Sequence, residues 1–150
     1  ADVADLIEKL MGVAERNGLK RVRTGPRDIE MRKARVCYNH LAGETGVYLF
    51  DSCVARGLIA ENGDDTALTQ AGHHFFAAFG IDLDARSKLR RPLCKSCLEW
   101  SARRMHLAGS LGTAILGQIY ARNWAQRQDG SRVVRFPPKG ERAFRQMFPL

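Results

Sequence analysis

The stretch His40-Leu41-Ala42-Gly43-Glu44-Thr45-Gly46 decides the fold because it occurs twice in the chain. It returns 66 residues later as His106-Leu107-Ala108-Gly109-Ser110-Leu111-Gly112, and seven of the 18 aligned positions in residues 40–57 and 106–123 are identical. Farther along the offset slips to 68, which pairs Gly72 with Gly140 and Phe76 with Phe144. A long-period repeat of this kind indicates that one supersecondary unit is present in two copies.

Periodicity and turn residues predict the elements of each copy. Apolar residues at helical spacing predict helices over residues 29–41 and 43–56, and Gly57 suits a left-handed helix end. The turn-rich residues 62–65 predict a hairpin, and Thr69 can cap a helix that closes at Gly80. Residues 106–150 repeat this order, with Asp129-Gly130 in the second hairpin turn. We therefore predict a mainly α (α+β) fold of two tandem winged-helix-like repeats, residues 26–85 and 86–150.

An amphipathic helix precedes the repeats. Residues 2–16 place their apolar side chains at helical spacing, whereas residues 18–26 are basic, contain glycine and proline, and read as a linker. The apolar stripe needs a partner, which either a second subunit or the rest of the chain supplies. We assign residues 1–25 to a dimerisation or connecting helix and its basic linker.

Composition limits the class of protein. The 150 residues are 45% hydrophobic and 27% charged, as in a folded globular protein, and no apolar run approaches the roughly 20 residues of a membrane-spanning helix. The first residues contain no secretory signal pattern, and the chain starts at Ala1. We expect a cytoplasmic fragment of a longer protein, without a membrane partner.

The net charge of +8 favours a polyanionic partner such as DNA. Candidate contacts are two adjacent arginines and two arginines that flank the second hairpin turn, namely Arg103, Arg104, Arg127 and Arg132. A basic cluster is equally typical of a solvated face, so charge alone leaves both interpretations open.

The cysteines are the groups most suited to chemistry. Cys94 and Cys97 have the two-residue spacing that lets two thiolates hold a soft metal or form a redox disulfide. A structural zinc site needs four ligands, and Cys37, His40 and His106 can supplement the pair. If the halves pack about a pseudo-twofold axis, His40 and His106 approach each other. At the offset of 66, however, Cys37 aligns with Arg103.

Three interpretations of the thiols therefore stand: a site for zinc or another soft divalent metal, a dithiol switch, and inert thiols. Trp100 lies close to the cysteine pair and to Arg103, where it either anchors the core or lines a small pocket. No nucleophile elbow, phosphate loop, metalloprotease helix or dinucleotide fingerprint occurs, so we expect no enzymatic activity.

Several of these motifs together resemble one family. They are Arg35-Val36-Cys37-Tyr38-Asn39-His40-Leu41-Ala42-Gly43, then Leu68-Thr69-Gln70-Ala71-Gly72, Pro92-Leu93-Cys94-Lys95-Ser96-Cys97-Leu98-Glu99-Trp100-Ser101 and His106-Leu107-Ala108-Gly109. Over residues 1–148 the chain resembles the C-terminal region of long ArsR-type (ArsR/SmtB-like) transcriptional regulators. The resemblance implies a winged helix-turn-helix domain before this region, a homodimer supported by the helix over residues 1–10, and metal or thiol sensing through Cys37, Cys97 or Cys94.

The leading expectation is an effector-sensing, dimer-supporting domain of a bacterial repressor that contacts DNA through the full-length protein and answers to an unidentified small effector or metal. Two alternatives remain: direct DNA binding by the winged-helix-like repeats, and a structural zinc module that serves as an interaction platform.

Overall fold

In a computed structural model of the chain, the described residues are 3–18, 25–62 (backbone only for residue 62) and 65–150. Most of the predicted basic linker over residues 18–26 lies outside these ranges, as do residues 63 and 64 of the predicted hairpin turn. Within the described residues, no helix combines the length and apolar character that crossing a membrane requires.

The described chain contains seven helices and eight short strands. The first part comprises α1 (Val3–Arg16), α2 (Ile29–Lys33), β1 (Arg35–Cys37), β2 (His40–Ala42), α3 (Glu44–Ala55), β3 (Ile59–Asn62), β4 (Asp65–Leu68), α4 (Gln70–Ala78) and α5 (Leu83–Ser87). The second comprises β5 (Lys95–Glu99), β6 (Arg104–Ala108), α6 (Gly109–Ala121), β7 (Gln126–Arg127), β8 (Val134–Arg135) and α7 (Pro138–Met147). The strands pair consecutively in four antiparallel hairpins, which confirms a mixture of helices and short β-structure.

The predicted helix over residues 29–41 is wrong beyond its first turns. Helix α2 ends at Lys33, Ala34 is extended, and residues 35–42 form the β1–β2 hairpin. Val36 and Leu41 pair across this hairpin and are both buried, while Tyr38 reverses the chain with φ of 53°. Each half thus runs hairpin, helix, hairpin, helix. The predicted helices at α3 and α4 are confirmed, and the Thr69 side chain caps α4 by accepting from the Gly72 N–H at 3.0 Å.

The two halves interlock around one core. Strand β1 of the first half runs beside the second half, where the Val36 N–H donates to the Arg132 carbonyl at 2.8 Å. In the corresponding contact of the second half, β5 lies beside β4 of the first half. One cluster of buried side chains includes Leu49 and Phe76 from the first half and Ile115 and Phe144 from the second. This packing brings the β1–β2 and β5–β6 hairpins together.

Helix α1 confirms the predicted amphipathic helix and lies against β5. Its Gly12 is buried, whereas Val3, Leu6, Leu10 and Val13 are between 47% and 69% exposed. The apolar stripe is therefore not covered by the described part of the chain.

Candidate metal centre

The centre is built from one directly opposed pair of residues in each of two hairpins. In the first hairpin Cys37 of β1 pairs with His40 of β2, and in the second Cys97 of β5 pairs with His106 of β6. Residues directly opposite each other in an antiparallel ladder have their side chains on the same face. Each hairpin consequently presents one sulfur and one imidazole to the other.

The strand register corrects the alignment of Cys37 with Arg103. The second hairpin has two more residue pairs, Leu98↔Met105 and Glu99↔Arg104, and its loop has four residues where the first has two. Because of these six additional residues, the two histidines are 66 positions apart in the sequence, whereas the two cysteines are 60 positions apart. Cys37 is therefore the structural counterpart of Cys97, and an ungapped repeat alignment hides this equivalence.

The ligand atoms of Cys37, His40, Cys97 and His106 all lie within 4.8 Å of one another. The Nε2 atoms of His40 and His106 are 3.0 Å apart, and the two rings stack with their centroids 4.9 Å apart. Both histidines and Cys97 are buried, and Cys37 is half-buried. The cluster thus has a buried imidazole side and a more accessible sulfur side.

Two repeated glycines allow this approach. A Cβ added to Gly46 would lie 2.5 Å from the Leu41 carbonyl oxygen and 3.6 Å from Cβ of His106. In the other half, a Cβ on Gly112 would lie 3.3 Å from Cβ of His40. The glycine that each copy carries six residues after its histidine therefore makes room for the histidine of the other copy.

The donor set suits a tetrahedral zinc ion. Two thiolates and two imidazoles are a common structural zinc set, with bonds of about 2.3 Å to sulfur and about 2.0 Å to nitrogen. In a tetrahedron with such bonds, the two nitrogens lie about 3.3 Å apart, close to the separation of the two Nε2 atoms. The Nδ1 atoms of both histidines are buried and have no hydrogen-bond partner among the described residues. The ring orientation therefore comes from packing.

The two thiols of the centre have opposite proton affinities. The pKa of Cys37 is lowered, first because the Cys97 thiol donates a hydrogen bond to its sulfur and then because both histidines do so, although burial opposes this. The pKa of Cys97 is raised by the same hydrogen bond to Cys37, by burial, and by the charges of Cys37 and Glu8. Cys37 is therefore the more acidic thiol of the pair, and a soft cation would compete with the proton that Cys97 holds more tightly.

Cys94 is not part of this group. Residues three apart on an extended chain point to opposite faces, so the Cys94 thiol packs against the core instead of joining Cys97. Burial raises the pKa of Cys94 to about 11 and that of Cys53 to about 12. The structure therefore groups one member of the Cys94–Cys97 pair with Cys37 and the histidines.

Helix α1 lies over the sulfur side of the centre. The Cys97 sulfur lies 3.5 Å from a Glu8 carboxylate oxygen, and ion pairs join Asp5 to Lys95 at 3.3 Å and Glu15 to Arg103 at 3.1 Å. Three acidic residues of one helix thus contact one hairpin. Sequence reasoning missed Glu8, although its position on the polar side of α1 marked it as a group that could face a basic surface.

A buried ion pair lies at the turn end of the second hairpin. The Arg35 guanidinium donates to the Glu99 carboxylate, and the side chains are 1% and 0% exposed. Glu99 also accepts from the N–H groups of Gly43 and Ser101 and from the Ser101 hydroxyl. Burial raises the pKa of Glu99, but these hydrogen bonds outweigh burial and the net pKa is lowered. The pair connects strands of the two halves beside the centre.

A cleft of about 970 Å³ adjoins the two sulfurs. It brings together residues that the sequence suggested for separate roles, and its lining includes Cys37, Cys97, Trp100, Arg103, Arg127 and Arg132. Arg104 lies elsewhere and pairs with Asp51 of α3 at 2.7 Å. Three of the four arginines considered for DNA contact therefore surround one cleft.

These features describe an α+β protein in which two interlocked halves each contribute a cysteine and a histidine to one site. The chain is 33% identical over 144 residues to a Bacillus subtilis (strain 168) protein described as the uncharacterized HTH-type transcriptional regulator YdfF. The match covers 96% of this chain and 64% of that protein, so the chain spans less than two thirds of the relative's length. No protein-family model matches the chain, and no solved structure matches it.

Proposed function

We propose that this chain is the regulatory part of a helix-turn-helix transcription regulator, in which Cys37, His40, Cys97 and His106 bind one zinc ion or another soft divalent metal. The similarity to a protein described as a transcriptional regulator supports the first statement. The observation that carries the second is the convergence of four soft donor atoms within 4.8 Å. The DNA-binding part lies elsewhere in the full-length protein.

The ion acts as a bridge between the two halves. Each half supplies one sulfur and one nitrogen, so the ion binds tightly only to the arrangement in which both hairpins are together. A ligand shifts a conformational equilibrium by its difference in affinity for the two states. Metal occupancy therefore biases the relative position of the two halves. Because α1 lies on the sulfur side of the centre, metal occupancy also biases the position of the part of the protein that contains α1.

Several finer assignments belong to the same proposal. The regulator is an ArsR-type repressor, non-enzymatic and cytoplasmic, and residues 26–85 and 86–150 are winged-helix-like units. It is a homodimer through α1, whose exposed stripe Val3, Leu6, Leu10 and Val13 has the alternating three- and four-residue spacing of helices that pair along a seam.

Metal binding is tested by titrating the metal-free chain, made without a metal-binding tag, with Co²⁺ under reducing conditions. We expect one equivalent to bind and to give the visible absorption of tetrahedral cobalt with a sulfur-to-cobalt charge-transfer band. Zn²⁺ should displace the cobalt. Cys37→Ser and Cys97→Ser should each abolish the tetrahedral spectrum, whereas Cys94→Ser should keep it. Spectra that survive both ligand substitutions, or that require Cys94, contradict the assignment.

Regulation is tested on the full-length regulator. Its affinity for operator DNA is measured with and without Zn²⁺ at fixed salt, because phosphate contacts make DNA affinity strongly salt-dependent. We expect a change of at least fivefold, in the usual range of allosteric coupling, that is absent in Cys97→Ser. Stoichiometric zinc with an unchanged DNA affinity would instead favour the structural zinc module.

A second candidate function is direct DNA binding by this chain. It is favoured by the net charge of +8 and by the exposed Arg127 and Arg132 at the β7–β8 hairpin. Salt-sensitive binding of duplex DNA by the chain alone, weakened by Arg127→Gln and Arg132→Gln, would support this candidate. Absence of such binding at low salt would exclude it.

A further inference from the structure

The cleft beside the sulfurs has two apolar walls. Helix α1 contributes Ile7, Leu10, Met11 and Ala14, and the opposite wall is formed by Val36 and Leu98 of the two hairpins. Tyr38 and Trp100 add aromatic faces. A volume of about 970 Å³ lies at the upper end of the range for small-molecule sites, which are lined mainly by apolar and aromatic side chains with a few polar groups.

Within the described part of the chain, two arginines at this cleft have no acidic partner. Of the two carboxylates in its lining, Glu8 lies 3.5 Å from the Cys97 sulfur and Glu15 pairs with Arg103. Among the described residues, no carboxylate lies within ion-pair distance of Arg127 or Arg132. The Arg127 Nε donates to the Ser131 carbonyl at 2.8 Å, which holds its guanidinium in place. The cleft therefore joins apolar walls to unneutralised positive charge.

We propose that this cleft binds an aromatic carboxylate, with its ring between α1 and Trp100 and its acid group on Arg127 and Arg132. Guanidinium groups match the planar carboxylate, and the aromatic side chains offer faces for a ring. The proposal deepens the function proposed above, since it names the chemical class of an organic effector for the same regulator.

The position of the cleft links this ligand to the metal centre. Cys37 and Cys97 belong both to the cleft lining and to the donor set. If the ion changes the affinity for the carboxylate, the carboxylate changes the affinity for the ion by the same factor. Carboxylate binding to the metal-free chain and to the zinc-loaded chain measures that factor directly.

The test uses 2-naphthoate as the anion and 2-naphthalenemethanol as its neutral counterpart, titrated into the whole chain by calorimetry. We expect saturable binding of the anion only. The double variant Arg127→Gln/Arg132→Gln should lose about tenfold or more in affinity, as removal of a charged hydrogen-bond partner does. Arg142→Gln, on the exposed side of α7, is the matched control and should leave the affinity unchanged.

The proposal would be overturned by equal binding of the neutral probe, by unchanged affinity in the double variant, or by no saturation by the anion up to about 1 mM. A second copy that occupies the cleft is recognised if the anion binds only after Leu6→Glu has made the chain monomeric, and this result also contradicts the proposal. Titrations of the wild-type chain separate the two hypotheses: naphthoate binding without Co²⁺ binding counts against the metal centre alone, and Co²⁺ binding without naphthoate binding counts against the carboxylate site alone.

Discussion

Glu99 is a carboxylate with no exposed surface, and its charge is balanced inside the protein by Arg35. Such a pair is weak evidence for net stabilisation, because removing two charges from water costs nearly as much as their attraction returns. Breaking the pair on one side is a different matter, since it leaves the other charge buried and alone. Glu99 therefore offers a sharp test of the contact between the halves.

Glu99→Gln should lower the free energy of unfolding by about 3–5 kcal/mol at neutral pH, because Arg35 loses its counter-charge. The folded-state pKa of Glu99 is below its ordinary value of 4.5, so its contribution is present above that pH and is lost as pH falls through the folded-state pKa. In urea titrations the gap between wild type and variant should shrink below about pH 4.5.

The matched control for this measurement is Glu141→Gln. The Glu141 carboxylate pairs with Lys33 at 2.9 Å near the surface, where an ion pair contributes less than about 1 kcal/mol. Equal losses for the two variants, or a gap that stays constant with pH, would show that Glu99 is not a charged partner of Arg35.

The residues of the centre were only partly predictable from the sequence. The four residues of the centre were all among the candidates, but the two-residue spacing favoured a site that includes both Cys94 and Cys97. Two thiols at this spacing can meet on a turn, whereas on an extended strand they point to opposite faces. Glu8 and Glu99 were missed, because the residues that they contact lie 89 and 64 positions away in the sequence.

At the scale of elements, α1 presents three faces. One carries Gly12 and the acidic residues that contact the second hairpin, a second carries Ile7, Met11 and Ala14 of the cleft wall, and the third carries the exposed stripe, with Leu10 belonging to both the cleft wall and the stripe. Burying such a stripe in a helix pair stabilises association by roughly 25 cal/mol per Å² of apolar surface. The helix can therefore serve the centre and a second copy at the same time.

If α1 forms the homodimer interface, Leu6→Glu should convert the chain to a monomer, because it places a charge on the seam and removes apolar area. Light scattering after size-exclusion chromatography gives the mass directly. Ile29→Glu is the control, since Ile29 is 80% exposed but lies outside α1. A dimer that persists in the Leu6→Glu variant, or a wild-type chain that is a monomer, would contradict the assignment of α1 to the dimer interface.

The elements that sequence analysis predicted correctly are those with strong local signals. Thr69 at a helix start and the apolar spacing of residues 44–55 are examples, because a cap and a stripe act within one helix. The β1–β2 hairpin was missed because a three-residue strand is too short to show alternation, and because burial of Val36 and Leu41 depends on the other half.

At the scale of the whole molecule, the repeat predicted two related halves and, if these pack about a pseudo-twofold axis, the approach of His40 to His106. It could not supply the equivalence of Cys37 and Cys97. That equivalence depends on two hairpins of different length, which no ungapped comparison shows. The cleft was likewise hidden, since Trp100 and three arginines reach it from separate parts of the chain.

Removal of metal should loosen both halves together. A ligand that binds only the folded state stabilises it by about 4 kcal/mol at a free concentration a thousand times its dissociation constant, so a chelator should lower the unfolding midpoint by several degrees. Hydrogen exchange should accelerate in both the β1–β2 and β5–β6 hairpins. Cys97→Ser should show no response to the chelator, and acidification should reproduce the loss because protons compete for the thiolates.

Exchange that accelerates in one hairpin only would contradict a bridging ion. A chelator effect that persists in Cys97→Ser would point to metal bound elsewhere in the chain. Cys94→Ser serves as the control again, and its chelator response should match that of the wild type.

The equal contribution of the two hairpins to the centre bears on how such a chain can arise. A single half with one cysteine and one histidine, paired with an identical copy about a twofold axis, would build the same four donors with the ion on the axis. Gene duplication and fusion turn that pair into one chain, and mutation can then alter each copy separately. The six extra residues of the second hairpin and the lone Arg35–Glu99 pair are differences that an exact symmetric ancestor could not have carried on one side only.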